Sequence, residues 1–251
     1  MAKVIMMASN LGLWGEELQA PWDALTNAGH DVTLATYQGK TPLPHAWSVD
    51  ANFQDPNHNL INPKEVVDRT LELVHTGAWD HPIKIDDADM ADYDAIVIVG
   101  GFGAPLDLNG NPKIHRMLVE AWQENKTIGA LCYAVGALAL TRQPDDYSKS
   151  IVDGKTIVAH PKEWDWVWPL SYDLAEATDD NPGTHIKTPG FAYPLRPIVE
   201  DAVGPDGTCI SPPETTREAP CAHYDAPFVT GLSFESSAAF GDLLVEVLAG
   251  A

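Results

Sequence analysis

The chain is poor in cysteine and in basic side chains. Cys132, Cys209 and Cys221 are its three cysteines. An odd, sparse set excludes a disulfide framework, and neither a close cysteine pair nor a His-x-x-x-His spacing is present to suggest zinc. Lys and Arg number 15 against 36 Asp and Glu, a formal net charge of −21. So acidic a surface repels phosphate backbones and anionic lipid, which excludes nucleic acid and membranes as expected partners. Long apolar runs are also missing: no stretch approaches the roughly 20 residues needed to span a bilayer. The opening MAKVIMMASN carries too short an apolar run for a secretory signal. With thiols unpaired, the expected setting is the reducing cytoplasm. Internal repeats and low-complexity tracts are absent too.

What is present is an ordinary globular balance, 45% apolar and 20% charged over 251 residues, enough to bury a core without staples. Short apolar runs alternate with helical spacing. KVIMMA (3–8) reads as a buried strand, followed by a loop over 9–18, a helix over 21–29 with Pro21 near its start, and a second strand, DVTLAT (31–36). Residues 38–64, rich in Pro, Asn, Asp and His, read as a long surface loop. Helices are expected over 63–77 and 112–125, and strands at DAIVIV (94–99), TIGALC (127–132) and KTIVAH (155–160). The close reads as a strand at 228–231 and a helix over 237–248. Strands alternating with helices predict a flavodoxin-like, doubly wound parallel α/β sheet whose ligands sit at the carboxyl ends of its strands. The expectation is one domain over 1–251 with an inserted, Trp-rich cap or lid at about 161–197.

Three segments carry chemistry. In the first, an apolar strand runs straight into Cys132 and a helix follows at once. Small residues at Ala130, Ala134 and Gly136 permit a nucleophile elbow with sulfur in place of a serine hydroxyl. A helix N-terminus there is expected to lower the thiol pKa. The second is Gly101-Phe102-Gly103 after the DAIVIV strand, placed to offer amides to a substrate oxygen together with the Tyr133 N–H. The third is Trp14-Gly15-Glu16-Glu17 after the first strand, where Glu17 is within reach of the sulfur as an acid and base. Each has a plain alternative: a buried inert cysteine, a glycine turn, an exposed acid in a first helical turn.

Together these segments resemble the ThiJ/PfpI superfamily, flavodoxin-like relatives of the class I glutamine amidotransferases. The resemblance rests on Glu17 with Pro21, Gly101-Phe102-Gly103 with Asp107, Cys132 in its elbow, the Asp153-Gly154-Lys155 segment, and Val229-Thr230-Gly231 before the last helix. It covers most of the chain outside 40–62 and 161–197, and its size and layout resemble the larger glyoxalase III and chaperone-like branch. The resemblance implies a reactive Cys132, no cofactor or metal, a small-molecule substrate and a homodimer. It also exposes two departures. That branch has His after the cysteine where this chain has Tyr133, and often His in the glycine loop where this chain has Phe102. A tyrosine hydroxyl is a poor base at neutral pH, so either Glu17 moves all the protons or another histidine enters the site.

His160, at the end of the KTIVAH strand, is the first candidate for that histidine, and His185 a second. The His-Pro-Lys-Glu at 160–163 faintly echoes a glutamine amidotransferase motif. It lies only 28 residues beyond Cys132, too near for that family's spacing, so amidotransferase activity is not expected. Trp164, Trp166 and Trp168 alternate at period two, as on a strand face, and form either a pocket wall, packing for the insertion or a dimer contact. Cys209 and Cys221 read as incidental loop residues, and Glu235 as a weaker candidate facing the site. The functional expectation is a cofactor-free hydratase, hydrolase or glyoxalase III-type lyase acting on a small carbonyl-like or other electrophilic metabolite. The alternative is a non-catalytic redox-sensing or stress-protective thiol protein, or a holdase.

Overall fold

The structure, a computed structural model, describes residues 1–55, 58–167 and 193–250. Its elements in chain order are β1 (Lys3–Ala8), α1 (Gly15–Asn27), β2 (Asp31–Thr36), α2 (Lys64–His75), β3 (Ile83–Lys84), β4 (Ala95–Ile98), α3 (Pro112–Gln123), β5 (Thr127–Leu131), α4 (Val135–Leu140), β6 (Thr156–Val158), α5 (Lys162–Val167), α6 (Leu195–Val203), β7 (Thr208–Ile210), β8 (Ala222–Asp225), β9 (Phe228–Gly231) and α7 (Ser237–Ala249).

Seven strands form one sheet in the order β3-β2-β1-β4-β5-β9-β8. All pairings are parallel except the antiparallel edge pair β8–β9. Parallel strands are buried on both faces, so they read as unbroken apolar runs. Val4 through Ala8 and Ala95 through Val99 are fully buried. Helices α1 and α7 pack together on one face, and α3 and α4 on the other. The strand order reverses direction between β1 and β4, the crevice where doubly wound sheets bind ligands. This is the flavodoxin-like arrangement expected from the strand–helix alternation.

Four local expectations are corrected. Helix α1 starts at Gly15, one and a half turns before Pro21, which is therefore inside the helix. Its start is set from a distance: Trp14 is extended and the Ser48 hydroxyl accepts from Gly15 N–H at 3.0 Å. The segment 38–64 is not simply a surface loop. His45, Ser48 and Asn62 are buried, and residues 46–49 form a short 3-10 turn. The Asn62 amide ties that turn down by donating to the carbonyls of Trp47 (2.6 Å) and Asp50 (2.9 Å). Strand β6 does not join the main sheet but pairs with β7, which places Cys209 in a strand rather than a loop. Finally, 162–167 is helical, so the period-two tryptophan pattern is not a strand face. Trp168 and the rest of the expected cap from 168 to 192 lie outside the described residues.

Packing across the sheet is close. A Cβ on Gly129 of β5 would approach Phe240 Cζ to 3.2 Å and Leu244 Cδ2 to 3.0 Å, so α7 lies directly on the strand that leads into the elbow. Phe240 is fully buried there. Phe240→Ala is expected to cost about 3–5 kcal/mol, read as a lower denaturation midpoint at unchanged slope in guanidinium.

Candidate active site

The carboxyl ends of β1, β4 and β5 converge, and each delivers one part of the site. Leu131 ends β5 in extended geometry, and Cys132 then turns to φ +57, the left-handed region. That conformation costs a non-glycine residue about 1–3 kcal/mol and persists only where surrounding structure enforces it. The 3-10 turn Cys132–Ala134 leads into α4. Asn109 anchors the turn, its amide donating to the Tyr133 carbonyl at 2.8 Å.

Behind the cysteine, β4 runs into Gly100 and Gly101. A Cβ on Gly100 would lie 2.5 Å from Glu17 Oε2, 2.6 Å from the Leu131 carbonyl and 2.8 Å from Cys132 Cβ. Only glycine lets this loop lie against both the nucleophile and the acid. The first turn of α1 supplies Glu17, which is 1% exposed. Its carboxyl lies beside Gly100 and the Cys132 thiol. The N–H groups of Tyr133 and Gly101 are near enough to the sulfur to favour its thiolate, and Ser233 Oγ lies 3.8 Å from it.

Electrostatics here differ from the expected helix-lowered thiol. Burial, and then the charge of Glu17, push the Cys132 thiol well above its usual range, and the Tyr133 and Gly101 amides offset only part of this. Burial likewise pushes Glu17 well up, against the thiol and Gly100 hydrogen bonds. The physical reason is that α4 is only six residues long and begins beyond a 3-10 turn, while the sulfur is 4% exposed beside an acid. Desolvation and a like charge outweigh a short dipole.

A cavity of about 580 Å³ opens over this centre. Cys132, Glu17, Gly101, Phe102, Tyr133, His160 and Trp164 line it together with Trp14, Ser233, Phe234, Glu235, Arg217 and part of the 55–61 segment. Of the candidate site residues singled out in the sequence, the structure thus brings eight to one cavity, Glu235 among them. Gly103 sits just behind, its N–H bonded to the Gly12 carbonyl at 3.1 Å. The Trp166 side chain and His185 lie outside the described part. His160 reaches the cavity although its strand is not in the main sheet. Its ring lies 5.0 Å from that of Tyr133, and its Nδ1 is 2.8 Å from Asp165 Oδ1 without hydrogen-bond alignment. The Tyr133 hydroxyl donates to the same carboxylate oxygen. Tyr133 and His160 thus approach one and the same aspartate oxygen.

Sequence reasoning missed Asp165 and Arg217. Asp165 carried a weak signal, one turn of α5 beyond His160. Arg217 carried none. Its guanidinium forks onto Glu16, with Nη2–Oε2 at 2.7 Å, donates to the Ile61 carbonyl at 2.9 Å and lies 5.6 Å from the Phe234 ring centroid. Among the described residues no group of three His, Cys, Asp or Glu side chains is arranged to hold a metal ion, and no helix is long and apolar enough to cross a membrane.

A doubly wound sheet with a strained cysteine elbow, a buried acid and a glycine loop defines a cysteine-elbow α/β protein. The DJ-1/PfpI family model matches residues 2–162, and the chain belongs to that family. It is 28% identical over 213 residues to the glutamine amidotransferase-like class 1 domain-containing protein 1 of Bos taurus, covering 85% of this chain and 78% of that one. Among solved structures, the 24 kDa rapid encystment protein of Francisella tularensis superposes with a TM-score of 0.70 at 18% identity, covering 99% of both chains. Glyoxalase III from Candida albicans does so with a TM-score of 0.67 at 16% identity, covering 98% of this chain and 96% of that one. At such identities the structural likeness speaks for the fold.

Two outcomes follow from these electrostatics. Glu17→Gln removes a like charge and an acceptor from the sulfur, so the thiol should titrate at lower pH than in the wild type, read from thiolate ultraviolet absorbance. Burial holds Glu235 up to about 8 against an ordinary value near 4.3. The folded state therefore binds the extra proton between those values. This contribution to stability is complete below the unfolded value and is lost as pH rises through about 8. Glu235→Gln should flatten that fall in denaturation curves collected across the window.

Proposed function

We propose that this protein is a cofactor-free, cysteine-dependent enzyme that acts on a small carbonyl-like or otherwise electrophilic metabolite by hydration, hydrolysis or lyase chemistry. The observation that carries this reading is the convergence on one sulfur of a strained backbone, two amide donors and a buried carboxyl, at the base of a cavity. Strain of this kind is retained where the position of the side chain matters.

In this reading Cys132 Sγ attacks the electrophilic carbon. The thiol proton passes to Glu17, whose raised pKa makes it a stronger base than an ordinary carboxylate. The carbonyl electron pair moves onto oxygen, near the amides of Gly101 and Tyr133 that previously faced the sulfur. Glu17 then returns its proton to that oxygen or to the leaving group. Tyr133 does not serve as the base: its hydroxyl is committed to Asp165. The imidazole on the cavity wall is His160, held beside Asp165; where water frees the product, His160 takes the proton of the attacking water as its oxygen bonds to the carbon and the carbon–sulfur bond breaks, and returns it to the departing thiolate.

The burial of Cys132, 4% exposed, weighs against the redox-sensing alternative, because sensor cysteines are solvent-accessible. A protein such as glyoxalase III among the structural neighbours is compatible with an enzymatic role. A homodimer and a cytoplasmic setting belong to the same proposal, carried by the family resemblance and by the sparse cysteine content.

The test is intact-protein mass spectrometry and product analysis with small aldehydes, dicarbonyls, nitriles, isonitriles and activated esters. Cys132→Ala is expected to abolish both adduct and turnover, and turnover surviving in that variant would sink the proposal. Glu17→Gln should lower kcat by about 10²–10⁴-fold even though its thiol is easier to ionise. Tyr133→Phe should retain activity, reduced by about tenfold or less, with a shifted pH profile because Asp165 loses a donor and turns towards His160.

A further inference from the structure

The cavity contains an acid that the mechanism above does not use. Glu235 follows β9 in a short 3-10 turn, Phe234–Ser236. It is 7% exposed and lines the cavity, and neither carboxyl oxygen makes a well-aligned hydrogen bond; its own N–H and the Ser233 hydroxyl only approach it. Leaving a buried carboxyl unmatched costs free energy that a ligand group is able to recover. The neighbouring acid shows what such a recovery looks like. Glu16 faces the same region, and there Arg217 supplies the cation, forked on the carboxylate and lying over Phe234.

The rest of the wall favours a second cation. Acidic residues Glu17, Asp55, Glu218 and Glu235 line the cavity, while the charge of Arg217, the one arginine among its described lining residues, is matched by Glu16. Trp14 stacks on Phe234 at 5.1 Å and meets Phe102 edge-on at 5.7 Å. These rings form an apolar wall against which the stem of an organic cation packs. We infer that the substrate carries a protonated amine, and that Glu235 is the specificity-determining residue that receives it as an ion pair while Cys132 meets the electrophilic end. The inference rests on the cavity being the substrate site, as proposed above, but not on Cys132 being a nucleophile.

Ion pairing also requires Glu235 to give up a proton. Without ligand, burial holds it up to about 8, with Arg217 opposing this and Glu16 reinforcing it. Glu17 and Cys221 are the other titratable groups coupled to it. Near pH 7, uptake of an ammonium group therefore releases close to one proton from Glu235.

The experiment compares three probes of one shape, benzylammonium, benzyl alcohol and benzoate. Each is titrated into the full-length protein by calorimetry in two buffers of different ionisation enthalpy. Benzylammonium is expected to bind about tenfold or more tightly than the alcohol, with proton release, and benzoate more weakly than either. In Glu235→Gln the ammonium and alcohol should come within about twofold of each other and proton release should vanish. Glu214→Gln makes the same charge change on an exposed residue outside the cavity and should keep the preference, as should Cys132→Ser. A wild type that binds the alcohol as well as the ammonium, binds no benzylammonium, or releases no proton overturns the inference. So does a preference that survives Glu235→Gln or is lost equally in Glu214→Gln, which would assign it to the overall charge. The proton release is read in the wild type, so the outcome does not depend on the variant folding. An ammonium preference retained in a protein whose Cys132 proves unreactive would leave this inference standing and the catalytic reading fallen.

Discussion

The parallel pairing of β4 between β1 and β5 is the constraint on which the site depends. It brings the ends of three strands to one edge, with Ile98 beside both Met7 and Ala130. Each chain then leaves the sheet at nearly the same height. The residues that follow meet in space although Glu17 and Cys132 are 115 positions apart in sequence. Gly100 permits the contact because its missing Cβ is the room that the Glu17 carboxyl and Cys132 Cβ occupy. A side chain there would push apart the acid, the elbow or both.

The energetic character of the site follows from that closeness. Two acids in contact, both almost entirely buried, cannot readily hold two negative charges, so a charge on Glu17 keeps the thiol protonated. The two amides aimed at the sulfur offset part of this cost, and they lie where charge must pass during an attack. The arrangement therefore holds a neutral thiol ready to ionise on demand rather than a standing thiolate.

Around this centre, Tyr133 and Phe102 occupy the places where the family resemblance led histidine to be expected. Phe102 joins an aromatic group with Trp14 and His45, at 5.7 and 5.2 Å. Tyr133 bonds to Asp165, and His160 approaches the same carboxylate. A histidine is still available, but it arrives from another segment. On the opposite wall Glu16 and Arg217 tie α1 to the 213–218 loop and, through Ile61, to the 55–61 segment. Three distant segments are thus fastened by one guanidinium.

The sequence alone determined the sheet, the elbow and the central pair. Continuous apolar runs such as Val4–Ala8 have a single good burial, between two layers of helices, and a strand running into Cys132 and small residues leaves one compact way to turn. Glu17, Cys132 and the 101–103 loop were legible because each follows a strand at the sheet's carboxyl edge. What tertiary structure decided was everything set by side chains from elsewhere. The start of α1 depends on the Ser48 hydroxyl, so only 9–14 of the loop expected over 9–18 stays a loop and 15–18 joins the helix. Strand β6 found its partner in β7 rather than in the main sheet. The thiol rose rather than fell because burial beside Glu17 outweighs a six-residue helix, and burial is not written in local spacing. Arg217 and Asp165 entered the site through contacts across 201 and 32 positions, distances over which hydrophobic periodicity carries no information.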